Sequence, residues 1–310
     1  MQKERVVIIG SGPAGLSAAI YTGRALLNPI VLTGTQLGGQ ISLTSEVENY
    51  PGLYNPEATP TGPEMVEIMK NQAEHFGARL VYDEVVEVDF RNGPPFIIKT
   101  HDETYAADAV IVTAGASPKH LEVPGEAEYV GRGVSYCGTC DGFFFRGKNI
   151  AVVGGGDSAM EESIFLTKFA DKVTIIHRRD ELRAGPTLQK RAFANEKIDF
   201  VWDTVIDEIN GNGVVQNITT TNLKTGESGE MAVDGVFVFI GHYPNSKFLV
   251  GQLAMDEHGY VITDEFMRTS VVGVYAAGEI QDPHFRQIAT SVGQGVAAAI
   301  QLERWLGALE

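Results

Sequence analysis

The sequence predicts an α/β protein with two Rossmann-like dinucleotide-binding domains, each made of three layers. The prediction rests on a pattern that occurs twice, in which an apolar strand runs into a glycine cluster and then into a helical segment. The two strands are residues 6–9 and 150–153. One Gly-x-Gly-x-x-Gly string is weak by itself, but two copies in a strand–turn–helix context indicate two dinucleotide folds.

The first glycine cluster carries the residue types that a dinucleotide turn requires. Its first glycine allows a tight turn, its second lets the backbone approach a pyrophosphate, and its third lets helix and strand pack closely. The N-terminus of the helix would face the phosphates. The candidate binding residues are Gly10, Ser11, Gly12, Pro13, Ala14 and Gly15.

The second cluster is followed by basic residues that indicate its ligand. Its candidate binding residues are Gly154, Gly156, Asp157 and Ser158. The next strand leads into His177, Arg178 and Arg179, with Arg183 close behind. An acidic residue there would bind a free ribose 2′-hydroxyl, whereas arginines offer fork-shaped donors to a 2′-phosphate. The pattern predicts NADPH rather than NADH, and a solvated basic turn is the alternative.

The second strand of the first domain ends without such arginines. Residues 31–34 also lack the acidic residue that many FAD sites place there, and Thr33 would be a weak ribose partner. FAD still fits this domain, because further glycine-rich segments can approach a long ligand. These segments supply Gly38, Gly39, Gln40, Gly278 and Glu279.

The remaining patterns are mostly those of strands. Residues 84–90, 96–100 and 104–106 predict short antiparallel strands, and residues 110–112 predict a further strand. After a linker at 118–124, strand patterns fill 203–241, and a last strand at 273–278 and a helix at 287–306 close the chain.

This order of elements predicts that one domain is inserted into the other. The outer domain would consist of residues 1–117 and 248–310, and the inner domain of residues 118–247. The outer domain would hold FAD, and the inner domain would hold NADPH.

The composition limits the classes of function. The formal net charge is −16, and such an acidic chain is not expected to bind nucleic acid or an anionic membrane surface. No apolar run reaches the roughly 18–20 residues that cross a bilayer. No signal-peptide pattern opens the chain, so the cytoplasm is the expected location.

The chain has only two cysteines, Cys137 and Cys140. A spacer of two residues lets their sulfur atoms come within bonding distance, so a reversible disulfide can form. Without other cysteines, such a pair indicates redox or metal chemistry rather than a structural staple. Asp141 adjoins the pair and can exchange a proton with a leaving thiolate, or can simply be a turn residue before Gly142.

Two alternatives to a redox pair stay open on the cysteines alone. A zinc site would need two more ligands, and the seven histidines show no ligand-like spacing. Two inert buried thiols are the other alternative, and the two nucleotide sites in the same chain argue against it.

An ordered set of motifs covers nearly the whole chain. It comprises residues 38–40, 46–52, 137–145, 154–159, 177–180, 241–245 and 285–287. With these motifs the chain resembles the low-molecular-weight thioredoxin reductases. The resemblance implies reduction of thioredoxin by NADPH, with electrons passing through FAD and a Cys137–Cys140 disulfide. It also implies a homodimer whose domains alternate between two orientations.

The resemblance implies roles for individual residues. Cys140 would lie nearer the isoalloxazine ring, Cys137 would attack the thioredoxin disulfide, and Asp141 would be the acid/base. Contacts to FAD, besides the first glycine cluster, would fall on Gln40, Asn49, Val85, Gly115, Arg286, Gln287 and Ile288.

The chain departs from the family pattern at a few positions. Glu279 stands where the family has aspartate, and Gly138 stands where it has alanine or valine. The longer carboxylate would shift the geometry at the ribityl chain, and the glycine would make the redox loop more flexible. Thr113-Ala114 replaces Ala-Thr, and Phe285 replaces a commoner tyrosine. None of these changes removes a group that the reaction needs.

Two rival functions remain open on the sequence. The closer one is a related flavoprotein reductase that acts on another protein or small-molecule disulfide. The other is a non-catalytic nucleotide-binding or redox-sensing protein, which would be favoured if a catalytic element were missing.

Overall fold

The computed structural model of the chain describes residues 1–44, 47, 49–53 and 58–309. The chain divides into two compact units. The first unit comprises Met1–Ser117 and Tyr243–Glu310, and the second comprises Pro118–His242. The return to the first unit thus comes after His242, whereas the boundary drawn from the sequence lies at residue 247.

Strands and helices alternate along much of the chain. The first segment contains β1 (Gln2–Ile9), α1 (Pro13–Arg24), β2 (Ile30–Leu32), α2 (Gly62–His75), β3 (Arg79–Val81), β4 (Val85–Asp89), β5 (Phe96–Thr100), β6 (Thr104–Val112) and β7 (Ala116–Pro118). The middle segment contains β8 (Val134–Ser135), α3 (Gly138–Asp141), β9 (Asn149–Val153), α4 (Asp157–Leu166), β10 (Lys172–Ile176), α5 (Pro186–Phe193), β11 (Ile198–Val201), β12 (Thr204–Gly211), β13 (Val215–Asn222), β14 (Ser228–Ala232), β15 (Gly235–Val238) and β16 (His242–Pro244). The last elements are β17 (Val274–Ala276) and α6 (Ile288–Gly307).

The sheet of the first unit has the strand order β3-β2-β1-β6-β5-β4, and β17 also pairs with β6. β6 is one continuous strand, so the division into strands at 104–106 and 110–112 is wrong. One edge of β6 pairs with β1 along its length. On the other edge, residues 104–107 pair antiparallel with β5, and residues 110–112 pair parallel with β17. The pairing on this edge therefore changes from antiparallel to parallel midway along β6, although the strand itself is unbroken.

Both faces of this sheet are buried. Val6 and Ile8 pack on the helical side with residues of α1 and α6. Val7 and Ile9 point to the opposite face, where they join the core formed with β4, β5 and the segment before β17. A strand that is covered on both sides is apolar at every position, which explains the uninterrupted run at 6–9. The three-layer fold predicted for this unit is confirmed.

The second unit repeats the parallel arrangement with the strand order β11-β10-β9-β15-β8. Residues of α4 and α5 pack on one face of this sheet. The antiparallel strands β12, β13 and β14 pack on the other face, as the strand patterns at 203–241 predict. The second Rossmann-like fold is confirmed as well.

Helices α1 and α6 pack closely because glycine lies at their contact. A β-carbon on Gly295 of α6 would overlap the backbone carbonyl oxygen of Ala14. A β-carbon on Gly15 would overlap the carbonyl oxygen of Gly10 in the same way. Since the obstacles are backbone atoms, they cannot rotate aside, and these two contacts fix the start of α1 against β1 and α6.

We expect Gly295→Ala to destabilise the protein by about 1–3 kcal/mol, because α1 and α6 must move apart to accept the methyl group. Gly293→Ala is the matched control on the same helix, since a β-carbon there meets no atom within 4 Å. The control should be neutral or stabilising by up to about 1 kcal/mol, as expected when alanine replaces an exposed helical glycine. Thermal unfolding of both variants measures the difference, and equal melting temperatures would contradict this packing.

Candidate active site

The redox loop, residues 135–142, begins at the end of β8 in the second unit. A disulfide joins Cys137 to Cys140, and their Cα atoms lie 5.3 Å apart. The sulfur of Cys137 accepts the backbone N–H of Cys140 at 3.2 Å and lies 3.4 Å from the hydroxyl oxygen of Thr139. Hydrogen-bond donors favour a thiolate, so after reduction these contacts favour ionisation of Cys137.

Asp141 lies at the end of the redox loop and is connected to Cys137 by hydrogen bonds. Its Oδ2 accepts the hydroxyl of Ser135 at 2.6 Å, and the Ser135 oxygen accepts the N–H of Cys137 at 3.1 Å. Burial raises the pKa of Asp141, and the bond from Ser135 opposes this rise. A carboxyl group with a raised pKa can hold a proton closer to neutral pH, as an acid/base at this position requires.

The first glycine turn lies between β1 and α1. Gly10 has φ = +111°, a conformation that glycine adopts at little cost. Ser11 connects this turn to two other segments, because its hydroxyl donates to the carbonyl of Thr33 at 3.1 Å and accepts the N–H of Gly38 at 3.2 Å. Gly12 precedes α1, and a β-carbon on it would meet only the carbonyl oxygen of Gly38, at 3.9 Å.

Two further glycine segments approach this turn. Gly38 and Gly39 have φ values of +85° and +59° and lead into the 3₁₀ turn Gly39–Leu43, which carries Gln40. Gly278 has φ = +76°, and a β-carbon on it would lie 2.9 Å from Cβ of Ala14. The structure therefore brings the first cluster, the 38–40 segment and Gly278 together.

Glu279 follows Gly278 and is partly buried. Burial raises the pKa of this glutamate to about 7, although the nearby Arg286 favours its charged form. At neutral pH its carboxyl group can therefore donate or accept a hydrogen bond, so it remains a suitable partner for a ligand hydroxyl.

The segment before α6 brings other candidate residues to the first unit's site. Asn49 donates from Nδ2 to Oε1 of Gln287 at 3.3 Å, so these two candidates are adjacent. Gln287 immediately precedes α6, whose first residue is Ile288, and Arg286 has φ = +50°. In the 46–52 motif, Glu46 and Glu48 lie outside the described residues.

Val85 lies at the start of a strand, and Gly115 lies in the connection between β6 and β7. Val85 begins β4, two residues after Asp83, whose carbonyl oxygen accepts the N–H of Gly34 at 3.1 Å. This bond places the start of β4 near the end of β2, where an adenosine would lie. Gly115 has φ = +67° and open space at its β-position.

These segments of the first unit fit FAD. Gly12 is the N-cap residue of α1, which has no side-chain cap and no acidic residue in its first turn. Its N-terminal amides are therefore suited to a pyrophosphate, and the open β-position of Gly12 allows close approach. Glu279 is suited to a ribityl hydroxyl. We expect the flavin to lie towards Asn49, Gln287 and Ile288.

The second glycine turn precedes α4 and has the same features. Gly154 has φ = +152°, and Gly156 caps α4 with nothing within 4 Å of its β-position. Asp157 accepts the N–H of Gly185 on Oδ1 at 2.7 Å, and Ser158 is exposed in the first helical turn. The turn is thus open above the helix N-terminus, as a bound pyrophosphate requires.

His177 differs from the arginines that follow it. Its ring is buried beneath the second turn, where a β-carbon on Gly155 would overlap it, and its Nε2 lies 3.0 Å from the carbonyl oxygen of Glu181. Burial lowers the pKa of His177, with help from the neighbouring arginines. We therefore expect a neutral His177 that supports the turn, rather than a cation that binds a phosphate.

The arginines line an open pocket of about 420 Å³ next to the second turn. Arg178, Arg179 and Arg183 are exposed, and the backbone N–H of Arg183 donates to the carbonyl of Gly155 at 2.7 Å. That bond connects the arginine segment directly to the glycine turn. The pocket is lined by Arg178, Arg179, Asp180, Glu181, Leu182, Arg183, Asp203, Leu223 and Lys224.

Sequence reasoning missed three residues at these sites. Ser135 bonds to Asp141, and Lys224 reaches the arginine pocket, where it pairs with Asp180 at 2.6 Å and Asp203 at 3.1 Å. The third, Glu162, contacts the redox loop from α4. The fold brings Lys224 and Glu162 to these sites from other segments, whereas Ser135 belongs to the redox loop itself and no sequence pattern marks it.

The described residues contain neither a metal-binding cluster nor a membrane-spanning helix. No group of three or more histidine, cysteine, aspartate or glutamate side chains is placed to hold a metal ion. Among the same residues, no helix combines the length and the apolarity that crossing a membrane requires.

Comparison with known proteins agrees with this geometry. The family model for pyridine nucleotide-disulphide oxidoreductases matches residues 4–295. The chain is 49% identical to the thioredoxin reductase of Peptoclostridium litorale, over 97% of this chain and 96% of that protein. It is 50% identical to the thioredoxin reductase of Mycolicibacterium smegmatis, over 97% and 96% of the two chains.

A solved structure extends the similarity to the fold. The crystal structure of thioredoxin reductase from Streptococcus pyogenes MGAS5005 superimposes with a TM-score of 0.93 at 43% identity, and it covers 99% of both chains. The chain thus belongs to the pyridine nucleotide-disulphide oxidoreductase family and, within it, to the thioredoxin reductases.

Proposed function

We propose that this chain reduces the disulfide of thioredoxin with electrons from NADPH, through FAD and its own Cys137–Cys140 disulfide. The observation that carries this proposal is the disulfide on the redox loop, with the hydrogen-bonded Asp141 beside it. The names of the relatives support thioredoxin as the acceptor.

Each of the two units would bind one nucleotide. We assign FAD to the first unit, in which α1 begins at an uncapped, open turn. We assign NADPH to the second unit, in which Arg178, Arg179 and Arg183 surround a pocket next to the second glycine turn. When bound, NADPH supplies a hydride and FAD converts it into two electrons for the disulfide.

The reduced cysteines would then act in sequence. The thiolate of Cys137, favoured by the N–H of Cys140 and the hydroxyl of Thr139, attacks one sulfur of the thioredoxin disulfide. That disulfide breaks, a mixed disulfide forms, and the leaving thioredoxin thiolate takes up a proton. Cys140, as a thiolate, then attacks the sulfur of Cys137, which releases the second thioredoxin thiolate and restores the Cys137–Cys140 disulfide.

Asp141 would move the protons of this exchange. The Cys140 thiol must lose a proton before it attacks, and the released thioredoxin thiolates must gain protons. Because burial raises the pKa of Asp141, its carboxyl group holds a proton at higher pH than an exposed aspartate does, which suits a group that takes up and returns protons.

A homodimeric assembly and a cytoplasmic location remain predictions from the sequence. The homodimer is what the resemblance implies, whereas the location and the lack of nucleic-acid binding are expectations from the sequence itself, the latter from its formal charge of −16.

We expect the FAD-loaded protein to oxidise NADPH continuously when an oxidised thioredoxin is added. Cys137→Ser should lower this turnover by about a hundredfold or more, because serine cannot form the mixed disulfide. The rate of NADPH loss measures both. Undiminished turnover by the variant would exclude the dithiol relay. Turnover of small disulfides but of no thioredoxin would favour the related flavoprotein reductase instead.

We expect the double substitution of Arg178 and Arg179 by alanine to weaken NADPH binding by about a hundredfold or more, since it removes two charge-assisted interactions of roughly 1.5–3 kcal/mol each. NADH binding should change by less than about threefold, because NADH lacks the 2′-phosphate. Arg191→Ala is the control, an exposed arginine on α5 outside the pocket. Equal losses for NADPH and NADH would refute the phosphate assignment.

A further inference from the structure

The redox loop packs against α4 at a spacer position that has no side chain. A β-carbon on Gly138 would overlap Oε2 of Glu162 and would lie 3.3 Å from Cδ of Glu162 and 3.5 Å from Cγ of Leu166. Gly138 is buried and is not in the left-handed region, so its backbone conformation alone would accept other residues. The close obstacle to a β-carbon here is therefore the carboxyl group at the flexible end of Glu162, which a side chain at residue 138 would have to displace.

We propose that Glu162 is a positioning residue that sets the reactivity of the Cys137–Cys140 dithiol, and that residue 138 is glycine so that this carboxyl group can lie against the loop. The proposal rests on the function proposed above, because it concerns the same dithiol. It also explains a departure from the family pattern that sequence reasoning could only connect with flexibility.

The charges around the loop show what this contact can do. Three acidic side chains of the described residues contact the loop: Asp141 lies at its end, Glu162 lies against its middle, and Glu126 accepts the hydroxyl of Tyr136 on Oε1 at 3.0 Å. The Nδ1 atom of His120 lies 2.8 Å from the same hydroxyl oxygen.

Basic side chains near these acidic residues in the sequence include Arg146, which lies 4.8 Å from the ring centre of Phe143, and Lys168, which lies 4.8 Å from that of Phe165. These cations are the same in every variant compared below. A carboxylate at Glu162 opposes a second negative charge on the loop.

Two opposing influences thus act on a thiolate of the reduced loop. The N–H of Cys140 and the hydroxyl of Thr139 stabilise it on Cys137, whereas the carboxylate of Glu162 destabilises it. Loss of the carboxylate should therefore let the thiolate form at lower pH. A glutamine keeps the shape of the side chain and removes only the charge, so it separates this effect from packing.

The test measures how fast iodoacetamide alkylates the dithiol-reduced, FAD-loaded protein as a function of pH. We expect Glu162→Gln to shift this profile to lower pH by about 0.5–1 unit, the effect of removing one nearby like charge from a partly solvated site. Glu161→Gln is the matched control, because Glu161 is exposed on the same helix. Its profile should coincide with that of the original protein.

Gly138→Ala provides an independent variant with the glutamate retained. Its methyl group must displace the carboxyl group from the loop, so the profile should shift in the same direction as in Glu162→Gln. The double variant should show the same shift and not the sum, because only one carboxyl group can be removed from this place. Bound flavin and the melting temperature of each variant verify that it is folded.

The outcomes separate this proposal from the proposed function. An unchanged profile in Glu162→Gln, or an equal shift in Glu161→Gln, would overturn the role of Glu162. A double variant whose shift equals the sum of the two would overturn the coupling to Gly138. Alkylation needs no thioredoxin, so the pH profile tests the role of Glu162 whether or not thioredoxin is turned over. Turnover of thioredoxin, in the same way, tests the proposed function whether or not the profile shifts.

Discussion

Close backbone contacts that only glycine permits are the constraint on which this structure depends. Gly15 and Gly295 let α1 lie against the β1 turn and against α6, so that the start of α1 is left open for a ligand. Gly154 and Gly156 produce a similar opening at α4 in the second unit. At the redox loop, Gly138 admits a carboxyl group instead of a ligand. Each of these sites therefore depends on a space that exists only because the residue there is glycine.

Charge is distributed around these openings in a way that fits their ligands. The first turn of α1 has no acidic residue, and three exposed arginines lie beside the turn before α4, although the whole chain is strongly acidic. The carboxyl groups of Asp141 and Glu279 are partly buried, and burial raises the pKa of both. Glu279, with a pKa of about 7, can donate or accept a hydrogen bond near neutral pH, and the raised pKa of Asp141 lets it hold a proton at higher pH than an exposed aspartate does.

The features that could be predicted from the sequence are those whose residues lie close together in the chain. The glycine clusters, the arginine group and the two cysteines each lie within one short segment, so spacing alone indicates their chemistry. The continuity of β6 could not be predicted, because its two halves have different partners on one edge. Lys224 and Glu162 were missed for a similar reason, since tertiary packing brings them to sites that are distant in sequence.

The central claim is that electrons from NADPH reach the Cys137–Cys140 disulfide of the same protein. The most direct measurement counts free thiols in the FAD-loaded protein, without oxygen, before and after NADPH is added. The account expects almost none before addition and about two per chain afterwards, because reduction of one disulfide takes two electrons and yields two thiols. Full reduction of the flavin with no new thiols would contradict it.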